Sequence, residues 1–331
     1  MTMGTAGPSG AAVLTDWTSA PVADLLVTLV LTVYLLLLIR PRRTGRPWPV
    51  RRTVSALAAA AVLVLVVNSP LAIYSHHLFW VHMIVHLLLI TVAPALMVWA
   101  QPIRLLHNAA DPATRLRLGR FRESRPFRWL ITPRFTVPLY AAVLVLTHLT
   151  GFQQAMNEHM WIHDTELVLY LITGYLLLLP LVGDELTTDP PMAPFLSFVI
   201  VAFCMGPDTL VGVVLMMTRT ALAPAYAGSR SWGPSALVDQ SMAGAIMWFA
   251  GDGLMMILMV VIGGHWIAHR NDSGASLGPW LDRIRRQTTL GADADSSIDL
   301  DDDDAALAAY NARLAALHGR QPKNPSCDGA N

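Results

Sequence analysis

Residues 79–100 read FWVHMIVHLLLITVAPALMVWA, an apolar stretch with two histidines near its start. A helix of roughly 20 apolar residues is long enough to cross the hydrocarbon layer of a bilayer. The stretch contains no Asp, Glu, Lys or Arg, as expected where a charged side chain would be costly. It therefore predicts a transmembrane helix.

Six further stretches meet the same criterion. The whole chain is 54% hydrophobic and only 14% charged, whereas about a quarter of the residues in a soluble globular protein are charged. We therefore predict an all-α polytopic membrane protein, a bundle of seven transmembrane helices. Besides 79–100, the predicted spans are about 22–39, 53–74, 135–150, 164–182, 194–217 and 241–267.

Arginine residues predict how the helices are oriented, because cytoplasmic loops carry an excess of basic residues. Eighteen arginines lie in 40–52, in 101–134 and just after the last span, against two in the loops on the other side. This predicts an N-terminus outside the cytoplasm and a C-terminus inside it. An odd number of spans agrees with that orientation.

The predicted organisation has three parts. Residues 1–21 form a short extracytoplasmic segment, and residues 22–267 form the transmembrane domain. Residues 268–331 form a cytoplasmic tail with an acidic run at 299–304. Such a charge run is typical of a solvated, largely disordered segment.

Several other classes of protein are disfavoured. The net charge is zero, and no feature of the sequence indicates a nucleic-acid partner. The two cysteines form no CxxC pair, so neither a thiolate metal site nor a disulfide framework is expected. No Lys or Arg precedes the first apolar stretch, which disfavours a cleavable signal peptide.

Histidine placement is the most informative feature of the sequence. Of the eleven histidines, seven fall on the predicted outer side, near the start of the third span, the end of the fourth and the start of the fifth. A group of imidazoles on one side of a membrane bundle favours a metal or haem site. These seven are His76, His77, His82, His86, His148, His159 and His163.

His82 and His86 are four residues apart, which places both rings on one face of a helix. Two imidazoles so placed can ligate one metal ion. His159 and His163 have the same spacing, although His159 is expected in a loop. The alternative for each single histidine is an interfacial side chain hydrogen-bonded to a carbonyl group or to another histidine.

Acidic residues inside the predicted spans are the next candidates, because a charged, unpaired carboxylate is costly there. Glu166 begins the fifth span, Asp208 lies in the sixth and Asp252 in the seventh. Asp239, beside Gln240, precedes the seventh span. Each can orient a histidine, carry a proton or act as a ligand. Each can instead stabilise structure, which for Asp239 means capping the seventh helix.

These residues occur within a pattern that resembles the CtaG family of seven-span cytochrome c oxidase assembly factors. The resemblance covers about residues 22–267 and rests on several motifs in order. In the family a histidine often follows the acidic residue of the fifth span, but here Leu167 follows Glu166. The motifs are Val81 to His86, Ala93-Pro94, Gln101-Pro102, Thr147-His148-Leu149, His163 to Glu166, Thr173-Gly174, Tyr226, Asp239-Gln240, Ala243-Gly244 and Met247-Trp248.

The resemblance implies a bacterial plasma-membrane protein that acts on cytochrome c oxidase subunits, assisting copper delivery or insertion on the outer side. It implies copper ligands from the outer histidines and supporting roles for nearby polar residues. The implied ligands are His82, His86, His148, His163 and His159. The implied supporting residues are Glu166, Asp239, Gln240 and Asp208.

Three alternatives remain open from the sequence. His86 and His148 could ligate a haem in a membrane electron carrier, since they lie on different helices. Asp208 and Asp252 could line the path of a copper transporter. The chain could also be an assembly scaffold without a cofactor. An enzyme is not expected, because the outer side has no recognisable catalytic spacing.

Overall fold

A chain inside a bilayer must satisfy its backbone hydrogen bonds internally, which favours a helix wherever an apolar stretch occurs. The computed structural model describes residues 15–39, 48–183, 192–228 and 230–268. Within these ranges all regular secondary structure is helical, which confirms the all-α prediction for this part of the chain. Nearly all of it belongs to one unit, Met1–Gly264.

The helices of the described ranges are numbered in chain order, with two π-helical turns named separately. They are α1 (Pro21–Leu37), α2 (Val50–Asn68), α3 (Pro70–Ser75), α4 (Phe79–Leu87), π1 (Leu88–Val92), α5 (Ala93–Ala100), α6 (Pro102–Ala109), α7 (Pro112–Glu123), α8 (Arg125–Leu130), α9 (Pro133–His148), α10 (Phe152–Glu158), α11 (Met160–Val182), α12 (Pro194–Met217), α13 (Ala225–Gly228), α14 (Ala236–Ala245), π2 (Ile246–Ala250) and α15 (Gly251–Ala268).

Five helical stretches of the described ranges are long and apolar enough to cross a membrane. They correspond to the predicted second, third, fifth, sixth and seventh spans. The predicted first and fourth spans are the shorter helices α1 and α9, of 17 and 16 residues. The five long stretches are Val50–Asn68, Phe79–Ala109, Met160–Val182, Pro194–Met217 and Ala236–Gly264.

Some predictions concern residues outside the described ranges. These are the acidic tail from residue 269 onward, the first fourteen residues of the N-terminal segment, and part of the arginine-rich segment 40–52.

Apolar side chains cover the outward faces of the helices. On α1, Val22 is 72% exposed and Leu25 68%, and similar residues follow along the helix. A soluble protein rarely exposes such a continuous apolar surface. This surface fits contact with lipid.

The third span contains a π-helical turn between α4 and α5. Pro94 follows this turn and has no N–H to donate to the carbonyl of Ile90 one turn earlier. A missing bond of this kind is a common cause of local widening in a helix. The span ends at Gln101, which has a left-handed backbone with φ of 51°, and α6 starts after it.

Helix α11 packs against this turn through Gly174. A Cβ atom at that position would lie only 1.9 Å from the carbonyl oxygen of Ile90 and 2.8 Å from Cγ of Pro94. Small residues at such crossings allow backbones to approach closely in membranes. The contact fixes α11 relative to the third span, and both carry residues of the candidate site.

We predict that Gly174→Ala destabilises the protein, because the added methyl group overlaps backbone atoms of π1. Overpacking of this kind costs about 1–3 kcal/mol. The midpoint of thermal unfolding of the purified protein in detergent should fall accordingly. Gly253→Ala is the control, since a Cβ there meets no heavy atom within 4 Å. Equal midpoints for the two variants would contradict this packing.

Candidate metal centre

Three buried side chains from two helices converge at the predicted outer end of the third span. Nε2 of His82 lies 3.3 Å from Oε2 of Glu166, and Nε2 of His86 lies 3.4 Å from Oε1. All three side chains are completely buried. One ligand atom from each lies within 4.8 Å of the others, so the group can hold a single metal ion.

Helical spacing explains why these side chains meet. His82 and His86 are one turn apart on α4, and their ring centroids are 4.1 Å apart. On α11, Glu166 shares a face with His163 three residues earlier and Tyr170 four residues later. The two faces pack together, so the histidines of α4 meet the carboxylate of α11.

His148, at the end of α9, contacts the far side of His86. Its Nε2 lies 3.1 Å from Nδ1 of His86, while its Nδ1 lies 2.9 Å from the carbonyl oxygen of Leu144. A carbonyl oxygen only accepts hydrogen bonds, so Nδ1 of His148 is assigned as the protonated nitrogen. Its Nε2 then accepts from Nδ1 of His86.

The hydrogen bond to His148 determines which ring nitrogen of His86 is left to bind a metal ion. With its Nδ1 donating to His148, its Nε2 keeps a lone pair directed towards Glu166. Metal-binding histidines commonly use their second nitrogen in this way, since a hydrogen bond there fixes the tautomer and the ring orientation. His148 therefore contacts the group as a positioning residue behind His86.

Tyr170 and Thr147 complete the packing around these two rings. The Tyr170 ring stacks on His86 with centroids 4.0 Å apart. Its hydroxyl lies 2.6 Å from Oγ1 of Thr147, which itself donates to the carbonyl of Val143 at 2.7 Å. Both rings are thereby held in one orientation.

Glu166 is also held by Gln153 of α10. The amide of Gln153 donates to Oε1 of Glu166 at 2.9 Å, and its own oxygen accepts from the hydroxyl of Tyr226 at 3.3 Å. Oε2 of Glu166 has no hydrogen-bond partner among the described residues. That oxygen is available to a metal ion.

Asp239 stabilises the start of α4 from a distant part of the chain. Its two carboxylate oxygens accept from the backbone N–H groups of Phe79 and Trp80, at 3.1 and 3.0 Å. Arg230 pairs with the same carboxylate at 2.9 Å. An anion at a helix N-terminus is favourable, so Asp239 fixes the helix that carries both histidines.

The expected role of Asp239 as the cap of the seventh helix is wrong. That helix begins at Ala236 with Ser235 as its N-cap, so Asp239 lies within the first turn. Gln240 beside it forms hydrogen bonds with the end of α12 and with the segment that follows α12. Its oxygen accepts from the backbone N–H of Leu222 at 2.8 Å, and its amide donates to the carbonyl of Leu215 at 3.2 Å.

Asp208 lies in a different polar group, within the sixth span. Its Oδ2 accepts from the hydroxyl of Tyr140 at 2.9 Å. Nearby, Thr209 donates to Oδ2 of Asp252 at 2.8 Å. Neither carboxylate contributes to the group around Glu166.

The two histidines of the fifth span lie in different environments. His163 is 7% exposed, and its ring centroid is 5.8 Å from that of His82 and 4.4 Å from that of His76. His159 is exposed, because it has an extended backbone and precedes α11 as its N-cap residue. The structure therefore brings His163 to the group and leaves His159 at the surface.

His76 is neutral at physiological pH. Burial, together with the nearby rings of His163 and His82, lowers the pKa of His76 to about 4. A neutral imidazole offers a lone pair to a metal ion.

The distances in the group fit one ion. Two ligands bound about 2.0–2.1 Å from an ion at tetrahedral angles are about 3.3 Å apart. The 3.3 Å contact between Oε2 of Glu166 and His82 has that length, and the 3.4 Å contact of His86 is with the other oxygen, Oε1. Two imidazole nitrogens and a carboxylate suit several transition metals, copper among them.

The sequence reasoning did not identify Gln153 and Tyr170. Tyr170 carries a usable signal, since it lies four residues after Glu166 on the same helical face. Gln153 carries only a weak one, an amide among the residues that follow the fourth span.

Fold and site together define a helical membrane protein with a buried histidine–glutamate group near one end of its bundle. A family model described as cytochrome c oxidase caa3 assembly factor (Caa3_CtaG) matches residues 32–269. The chain belongs to this family of cytochrome c oxidase assembly factors, which confirms the resemblance seen in the sequence.

Mycobacterial proteins are also similar to this chain. An uncharacterized protein of Mycobacterium leprae is 26% identical over 294 residues, covering 84% of this chain and 41% of the relative. An uncharacterized protein of Mycobacterium tuberculosis is 27% identical over 286 residues, covering 83% of this chain and 40% of the relative. The chain thus spans about two fifths of the length of these relatives. No solved structure matches it.

We predict that Asp239→Ala strongly destabilises the protein. The substitution leaves Arg230 and two backbone N–H groups without their buried acceptor, and breaking a buried ion pair costs about 3–5 kcal/mol. Thermal unfolding in detergent should show a large fall in the midpoint. Asp164→Ala removes a carboxylate that is 73% exposed and should change stability by less than about 0.5 kcal/mol. Similar midpoints would contradict the role of Asp239.

Proposed function

We propose that this chain assists cytochrome c oxidase assembly by holding a copper ion transiently at His82, His86 and Glu166. The ion is cargo, to be passed to a nascent oxidase subunit on the extracytoplasmic side. The observation that carries the proposal is the convergence of these three buried ligand groups at distances that suit one ion.

Charge supports a cation at this position. A buried carboxylate is costly when nothing compensates it, and the amide of Gln153 is a neutral donor. A monovalent copper ion bound to Glu166 and two neutral imidazoles would give the group no net charge.

Ring nitrogens without hydrogen-bond partners also support a bound cation at this position. Both ring nitrogens of His82, and Nε2 of His86, have no hydrogen-bond partner among the described residues. Buried polar atoms in proteins are nearly always hydrogen-bonded. An ion bound by one nitrogen of each ring would account for two of these three atoms, and membership of an oxidase assembly family supports copper as that ion.

The location of the group follows from the predicted topology. We propose seven spans, with α1 and α9 as the first and fourth, and an N-terminus outside the bacterial plasma membrane. The arginine distribution supports this orientation. His82 lies near the start of the third span, so the group lies in the outer part of the membrane, where it can serve an extracytoplasmic copper site.

The arrangement does not favour a haem between His86 and His148. An iron ligated by both would need its two imidazole nitrogens about 4 Å apart, since each metal–nitrogen bond is about 2 Å. The facing nitrogens are 3.1 Å apart and are already joined by a hydrogen bond. The copper proposal uses the opposite nitrogen of His86 and keeps this contact.

The test is copper content and optical spectrum of the purified protein after reconstitution with Cu(I). The wild type should retain about one copper per chain, as expected for one closed ligand group. His82→Ala/His86→Ala should retain almost none while reaching the membrane in normal amount. Membranes of cells that carry only this double variant should lack oxidase activity.

His107→Ala is the matched control, because His107 lies in α6, away from the ligand group, and should keep wild-type copper and oxidase activity. Wild-type protein without copper would contradict the proposal and leave the scaffold as the better account. A Soret band would instead indicate a haem carrier.

A further inference from the structure

A second pair of histidines lies beside the proposed copper group and is not needed to hold its ion. His76 follows the short helix α3, and His163 lies in the first turn of α11. Their ring centroids are 4.4 Å apart, with the ring planes inclined by 45°. Two elements that are distant in sequence thus bring two imidazoles together.

His163 has an unusual environment for a buried imidazole. The residue is only 7% exposed, yet neither ring nitrogen has a hydrogen-bond partner among the described residues. The nearest carboxylate oxygen, on Asp164, is 3.7 Å from Nδ1. Leaving a buried polar atom without a partner is costly, and a metal ion bound to the nitrogen would remove that cost.

The histidines form a continuous series from His76 to the copper group. Successive ring centroids are separated by 4.4 Å from His76 to His163, 5.8 Å to His82 and 4.1 Å to His86. Two imidazoles that share one ion have ring centres up to about 6 Å apart, given metal–nitrogen bonds of about 2 Å. The separations of all three neighbouring pairs lie within that limit.

Charge and exposure differ along this series. His76 is partly exposed, whereas His82 and His86 are completely buried. The buried pair contacts the carboxylate of Glu166 directly. Among the described residues, the carboxylate within 4.0 Å of the outer pair is that of Asp164, which is 73% exposed. An ion would therefore be held more tightly at the buried end.

The loop that carries His76 is held in place. Arg230 donates from Nε to the carbonyl of His77 at 2.8 Å, and its guanidinium also bonds the carbonyl of Trp232 and the carboxylate of Asp239. The position of His76 is thus tied to the same residues that fix the start of α4.

We infer that His76 and His163 form a second, weaker metal position through which copper passes to and from His82, His86 and Glu166. The ion moves by exchange of imidazole ligands, with no change in its oxidation state and no proton transferred to it. This inference rests on the proposed function, since it assigns a path to the same cargo.

The experiment measures transfer of Cu(I) from a coloured Cu(I)–chelator complex to the purified full-length chain. Stopped-flow absorbance gives the rate, and copper analysis after desalting gives the amount retained. His76→Ala and His163→Ala should retain close to wild-type copper at equilibrium but load it about tenfold more slowly, because a ligand that lowers the barrier is missing. His107→Ala is the control and should load at the wild-type rate.

His163→Cys provides a second test, because it keeps a copper ligand while removing the imidazole. It should load faster than His163→Ala, a difference that a purely structural role would not produce. Wild-type loading rates in both alanine variants would overturn the inference and leave the copper group standing. Loss of the retained copper in His163→Ala would also overturn it, by making His163 a ligand of the inner ion.

Failure of the proposed function would give a result different from failure of this inference. Wild-type protein that retains no copper, with or without His76 and His163, would remove the cargo and the path together.

Discussion

A carboxylate buried among membrane helices must be compensated, and the end of the bundle near the start of the third span is organised around the one on Glu166. Two histidines of α4 and the amide of Gln153 surround its oxygens. Because the compensation comes from two other elements, α4 and α10, these helices and α11 must be fixed in position. Close packing at Gly174 places α11 against the third span, and the Asp239–Arg230 pair holds the start of α4.

Much of this could be predicted from sequence because it depends on local periodicity. Apolar stretches identified the long helices, and the spacing of His82 and His86 placed both rings on one face. The family followed from motifs quoted in order along the chain. In each case the physical cause acts over one helix or less, where the sequence pattern is sufficient.

The remaining features depend on contacts between distant residues. Asp239 reaches a helix that begins 160 residues earlier, so its neighbours in sequence suggested a cap for its own helix instead. His148 looked equivalent to the other histidines, yet the carbonyl of Leu144 determines its tautomer and directs it to support His86. His159 shares the spacing of His82 and His86, but α11 starts one residue after it, so the helical argument does not apply.

In the proposed centre, copper would bind two imidazole nitrogens and one carboxylate oxygen, with no sulfur ligand. X-ray absorption at the copper edge, recorded on the copper-loaded protein, distinguishes this set of ligands from any other. We expect nitrogen and oxygen scatterers at about 2 Å from copper, with the more distant scattering pattern of two histidine rings. A sulfur scatterer in the first shell, or no imidazole pattern, would contradict the proposed centre.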